Sequence, residues 1–113
     1  MSYNISKELF ENVMNIKINK LQVDDFNYIW INIDSAHFSR FDSINNFFFL
    51  CKEWANKNGY RLLNGSHDYN NQIVCFIYKD FDYMGDYEEE FKSDSEQQAV
   101  FDVCQWILDN KGN

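Results

Sequence analysis

Residues 72–79 read Gln-Ile-Val-Cys-Phe-Ile-Tyr-Lys. The six central residues are apolar or aromatic, and Ile73, Val74 and Ile77 are β-branched. In an extended chain Ile73, Cys75 and Ile77 point to one side, and Val74, Phe76 and Tyr78 to the other. A half-exposed strand alternates apolar with polar residues. This one is apolar on both sides, which predicts a central strand covered on both faces. Two apolar helical segments flank it in sequence and are the candidates to cover it.

The first of these follows Asp42 or Ser43, either of which can cap it. Ile44, Phe47, Phe48, Cys51, Trp54 and Ala55 recur at steps of three and four and form a broad apolar stripe. Phe49 and Leu50 widen it, which predicts burial on more than one side. Gly59 is its stop signal. The second begins at Asp94-Ser95-Glu96-Gln97, read as a capping box with Asp94 in the cap position. It runs to about Asn110 with Ala99, Val100, Val103, Cys104, Trp106 and Ile107 on its main face. A further helix is expected from a Ser6 cap to about Asn15, with Leu9, Phe10, Val13 and Met14 as its apolar face.

The remaining strands are expected at Ile16–Leu21, Tyr28–Ile33, Tyr60–Leu63 and Tyr87–Phe91. Val23–Asn27, Asp34–Phe41, Asn64–Asn71 and Asp80–Asp86 read as turns or loops. With no proline in the chain, these turns are built from Gly, Asn, Asp and Ser. The order α-β-β-α-β-β-β-α predicts a single α+β domain over residues 1–113. Its sheet is largely antiparallel, of about four to five strands, packed with two to three helices. The expected core includes Phe47, Cys51, Trp54, Val74, Phe76, Val103 and Ile107. A chain of 113 residues with eleven Phe can bury such a core without metal or disulfide.

Composition narrows the function. Eighteen acids oppose ten bases, a formal charge of −8. Such a domain repels nucleic-acid phosphate, and its Lys and Arg are scattered, so no direct nucleic-acid binding is expected. Cys51, Cys75 and Cys104 each sit in an apolar run, which fits reduced thiols in the cytoplasm. The start lacks a basic region followed by an apolar run, so no signal peptide is expected. No apolar stretch approaches the ~20 residues that span a bilayer.

Catalytic and metal motifs find no support. Cys51, Cys75, Cys104, His37 and His67 show no pair at the two-to-four-residue gap of a zinc site. Thiols in apolar runs are inert. There is no Gly-x-Ser-x-Gly turn and no glycine-rich phosphate loop. Asp80–Gly85 begins like a calcium loop, but Met84 and Phe91 occupy its fifth and twelfth positions. No enzyme, metal or cofactor is expected.

One feature rises above this background. Between Asp80 and Glu96 lie eight acids and only Lys92 opposes them, so this segment holds a formal −7 of the chain's −8. Phe81, Tyr83, Tyr87 and Phe91 interleave with the acids. The simplest account is an edge strand kept from aggregating by its charge. The sharper expectation is a docking surface for a basic protein, centred on Asp82, Asp86, Glu88, Glu89, Glu90 and Asp94. Acids two residues apart on a strand project to one side at ~7 Å, close to the phosphate spacing of a DNA strand. A nucleic-acid-binding protein is a partner such a surface would suit.

The stretch Ser93–Leu108, with its acidic cap and small-residue spacing, resembles the closing helix of many small phage and prophage proteins. The order helix, Asn-Gly-Tyr, strand, strand, acidic cap, helix over Ile44–Leu108 is similar to phage α-β-α sandwich proteins of unassigned function. The resemblance implies a mobile-element origin, no assigned enzyme activity, and interference with a host nucleic-acid-handling or defence protein. It carries over no site residues. Two other functions stay open. One is a ligand-binding or enzyme domain with a pocket lined by Tyr28, Trp30, Trp54 and Tyr78. The other is a structural homodimer joined through surplus aromatic surface.

Overall fold

The computed structural model describes residues 3–34, 37–67, 73–79 and 89–110. They form α1 (Lys7–Met14), β1 (Lys20–Val23), β2 (Tyr28–Asn32), β3 (Ser39–Ser43), α2 (Ile44–Lys57), β4 (Tyr60–His67), β5 (Ile73–Lys79), β6 (Glu89–Ser93) and α3 (Glu96–Asn110). The class is α+β, and one apolar core is shared by all three helices and both halves of the strand set.

Among the described residues six strands form two antiparallel sheets of three, β1-β2-β3 and β4-β5-β6. A single sheet of four to five strands is not seen among them. The reason lies at residues 34–43. The segment Ser39–Ser43, expected to be loop as far as Phe41 and then a helix cap, pairs antiparallel with β2 and closes the first sheet as a meander. The chain then enters α2 directly, and the next strand starts a new sheet with β5.

Local chemistry sets the helix ends. Ser6 caps α1 by accepting the Leu9 amide at 3.0 Å, and Asn15 closes it in the left-handed region at φ 58°. That turn sends the chain away from α1, and the Glu11 carboxylate then takes the Ile18 amide at 2.9 Å. The first strand therefore begins at Lys20 rather than Ile16. Ser43 caps α2 through the Asn46 amide. Gly59, at φ +88°, adopts the left-handed conformation that lets β4 leave α2 immediately. The α3 cap is Ser95, whose hydroxyl accepts the Gln98 amide at 3.0 Å, and not Asp94. Asp94 sits one position too early for that geometry.

β5 is the central strand of its sheet, as its sequence predicts. Its two faces differ. Cys75 and Ile77, with Leu62 and Tyr60 of β4 and Phe91 of β6, join the core beneath α2 and α3. Both helices therefore pack on one face of this sheet, instead of covering one face each. The other face carries Arg61, Val74, Phe76, Tyr78, Glu90 and Lys92, matched across strands as Arg61↔Tyr78, Phe76↔Glu90 and Val74↔Lys92. Val74 is buried there, while Phe76 is only half-buried. Phe47, Cys51, Val103 and Ile107 are buried as expected, and Trp54 is half-buried at the core margin. Phe49 is 59% exposed, so α2 is not buried on the side that Phe49 widens.

The helices meet through a column of aromatic rings. Phe47 of α2 lies 5.5 Å from Phe10 of α1 and 5.6 Å from Phe101 of α3. Phe41 of β3 and Tyr3 of the N-terminal arm extend it edge-on at 5.2 and 6.0 Å. The arm is strapped to α3 by a reciprocal pair: the Asn4 amide donates to Gln98 Oε1, and Gln98 Nε2 donates to the Asn4 carbonyl.

Candidate interaction surfaces

The acid-rich segment enters the fold through β6. This strand lies at the end of the β4-β5-β6 order, and Glu89 pairs with Ile77 and Glu90 with Phe76 in register. Glu90 and Asp94 are exposed. Asp82, Asp86 and Glu88, together with the turn Asp80–Asp86, lie outside the described residues. The described part is not uniformly acidic. Glu90 and Lys92 point to the same side of the sheet, and Arg61 of β4 shares that side.

A second polar centre sits at the β1–β2 turn. Asp24 Oδ1 accepts the amides of Phe26 at 2.8 Å and Tyr28 at 3.0 Å, and Oδ2 accepts the Trp30 indole N–H at 2.7 Å. Trp30 chiefly, with the Tyr28 amide next, holds the Asp24 carboxyl below its ordinary range. With three donors on one carboxylate, this acid is spent on shaping the turn. Asn27 completes the turn at φ 65°, and its carbonyl accepts the Ile44 amide at 2.8 Å, fastening the tip to the start of α2. The consequence is a fixed tip that holds Phe26 83% exposed.

Between that tip and α2 lies a cleft of ≈ 380 Å³, also bordered by Tyr3 and Gln97. Gln97 Nε2 donates to Asn45 Oδ1 at 3.0 Å across it. A second cleft of ≈ 360 Å³ runs between the N-terminal arm and α3, beside Leu9, Phe101 and Asp102. The expected pocket of Tyr28, Trp30, Trp54 and Tyr78 does not assemble. Tyr28 borders the first cleft, but Trp30 is engaged by Asp24. Trp54 packs at the core margin on the helical side of the second sheet, and Tyr78 lies on the opposite side. Sequence reasoning missed Tyr3, Asn27, Asn45 and Gln97 as cleft residues. They come from four separate parts of the chain, and only the Asp-x-x-Asn turn gave a local signal.

The three thiols are free and buried. The Cys104 thiol contacts the Cys51 carbonyl at 3.5 Å. Burial, then the hydrogen bond with Cys104, drives the Cys51 thiol far above its ordinary range. Burial, with Cys104 adding to it, pushes Cys75 up to about 12. Neither can supply a thiolate near neutral pH. Among the described residues no three His, Cys, Asp or Glu side chains gather as metal ligands, and no helix is long and apolar enough to cross a membrane.

No family model, no curated protein and no solved structure matches the chain. The functional reading therefore stands on the residues themselves.

Proposed function

We propose that this chain is a small, non-enzymatic, cytoplasmic binding protein that engages a basic protein surface through its acidic segment. In this reading it acts as the phage-type proteins it resembles would: carboxylates occupy the place of phosphates on a host nucleic-acid-handling or defence protein and block it. The observation that carries the reading is the concentration of a formal −7 between Asp80 and Glu96, leading into a strand at the end of its sheet. Like charges packed together repel one another and lower folding stability. A device for solubility alone is served better by spreading them. The exposed Glu90 and Asp94 are the described members of this surface. Lys92 and Arg61 share the sheet face of Glu90.

Surface charges are screened within ~10 Å at 0.1 M salt, so the interaction weakens as salt rises. The test reverses Glu88, Glu89 and Glu90 to Lys. A partner is captured from lysate on the wild-type chain, and its affinity for both proteins is measured at two salt concentrations. The triple variant is expected to keep its circular dichroism spectrum and lose both affinity and salt dependence. Unchanged affinity and salt dependence in a folded variant would reduce the acidic run to a solvated strand and end the proposal.

A further inference from the structure

The lining of the cleft between the β1–β2 tip and α2 is uncharged. Its eight lining residues include no Asp, Glu, Lys, Arg or His. The chain as a whole carries 18 acids and 10 bases in 113 residues. Three aromatic side chains, Tyr3, Phe26 and Tyr28, stand around three carboxamides, Asn27, Asn45 and Gln97. At ≈ 380 Å³ the cleft falls at the small end of ligand sites, which run from about 300 to 1,000 Å³.

We infer that this cleft binds a neutral, polyhydroxylated ligand: a mono- or disaccharide unit of a glycan. Each structural class in the lining fits that chemistry. A carboxamide offers a donor and an acceptor side by side, matching a pair of adjacent hydroxyls. The Tyr3 and Tyr28 hydroxyls add two further groups that can both donate and accept. A charged ligand would find no counter-charge among the lining residues, and an anionic one would also meet a chain of formal charge −8. Arg40 is placed over the Tyr28 ring at 4.7 Å.

The cleft is also pre-arranged. Asp24 fixes the turn with three hydrogen bonds, and the Asn27 carbonyl ties the tip to α2. Gln97 holds the Asn45 carboxamide through its oxygen. The Asn45 amino group, the Gln97 oxygen and the Tyr3 and Tyr28 hydroxyls have no hydrogen-bond partner among the described residues. Phe26 stays 83% exposed on this turn. This cleft shares no residue with the proposed acidic surface, and neither reading needs the other.

The experiment is an amide NMR titration of the full chain with a panel of neutral sugars: glucose, galactose, mannose, N-acetylglucosamine and their common disaccharides. Adenosine and uridine form a second arm, since stacked rings and carboxamides also suit a nucleobase. The expected result is saturable shifts from at least one sugar, confined to the amides of residues 26–28, 43–45 and 97. Phe26→Ala and Asn45→Ala are each expected to weaken that binding on the order of tenfold, the loss of one good contact. Both sites are exposed, and an unchanged amide spectrum elsewhere confirms that the variants fold. No saturable shift from any sugar overturns the inference. So do shifts from the nucleosides alone, or binding that both variants leave intact.

Discussion

Replacing Phe47 by Ala tests whether the aromatic column is the joint on which the three helices meet. Phe47 is 1% exposed and touches Phe10 and Phe101 at ring separations of 5.5 and 5.6 Å. Truncating a buried Phe costs about 3–5 kcal/mol, the transfer cost plus the cavity left behind. Aromatic pairs add about 0.5–1.5 kcal/mol each beyond area burial, so two lost pairs place Phe47 at the upper end, about 4–5 kcal/mol. Domains of this kind have only about 5–15 kcal/mol to lose. At about 2.1 cal/mol/K per residue, 113 residues give an unfolding entropy of about 240 cal/mol/K. Each kcal/mol then lowers Tm by about 4 °C, and the variant should melt about 16–20 °C below the wild type. Urea unfolding should show a lower midpoint at an unchanged m-value, since the surface exposed on unfolding is the same. A double-mutant cycle with Phe101→Ala should return a coupling of about 0.5–3 kcal/mol, because the two rings share one contact. A loss below about 1.5 kcal/mol with no coupling would show that the rings do not clamp the helices together, and the account of the core would fail with it.

Two further perturbations follow from the buried thiols and the turn. Cys51→Ser places a hydroxyl in the apolar space between α2 and α3 and should destabilise by about 1–3 kcal/mol, measured by urea melts. In the folded wild type the three thiols should react with a colorimetric thiol reagent only at the rate of unfolding; rapid labelling at neutral pH would contradict their burial. The Asp24 carboxyl is held below its ordinary value in the folded state, so its contribution to stability is complete above the unfolded carboxylate pKa of about 3.9. That contribution falls away as pH drops through the lower folded value. Asp24→Asn should therefore flatten the stability profile below about pH 4. The Trp30 indole N–H resonance of the wild type should titrate below the ordinary carboxylate range. A Trp30 signal that titrates at the ordinary carboxylate value would overturn the lowered Asp24 pKa.

Where the sequence was readable, the signal was local. The Ser6 and Ser43 caps, the Gly59 exit and the central place of β5 all follow from residues within a few positions of one another. Where it was not, the deciding contact was distant. Phe101 lay off the apolar face read for α3, yet it is buried because Tyr3 and Phe47 reach it from the arm and from α2. β3 has no apolar pattern of its own, since Ser39, Arg40 and Phe41 are all exposed. It is a strand because β2 offers it an open edge and because its last residue, Ser43, caps α2.

The same division governs the two functional readings. The acidic segment is a property of composition and can be found without a structure; what its carboxylates face depends on neighbours such as Arg61, which is 28 or more residues away along the chain from Glu89 and Glu90. The neutral cleft has the opposite character. Its residues come from the arm, the β1–β2 turn, the start of α2 and the start of α3, and none is distinctive alone. Their one common property, the lack of formal charge in a strongly acidic chain, emerges only when the fold brings them together. A partner held by the acidic segment should respond to salt, because its attraction is between net charges. A sugar held by carboxamides and rings should not. Measuring both bindings across one salt series therefore separates the two sites by mechanism as well as by location.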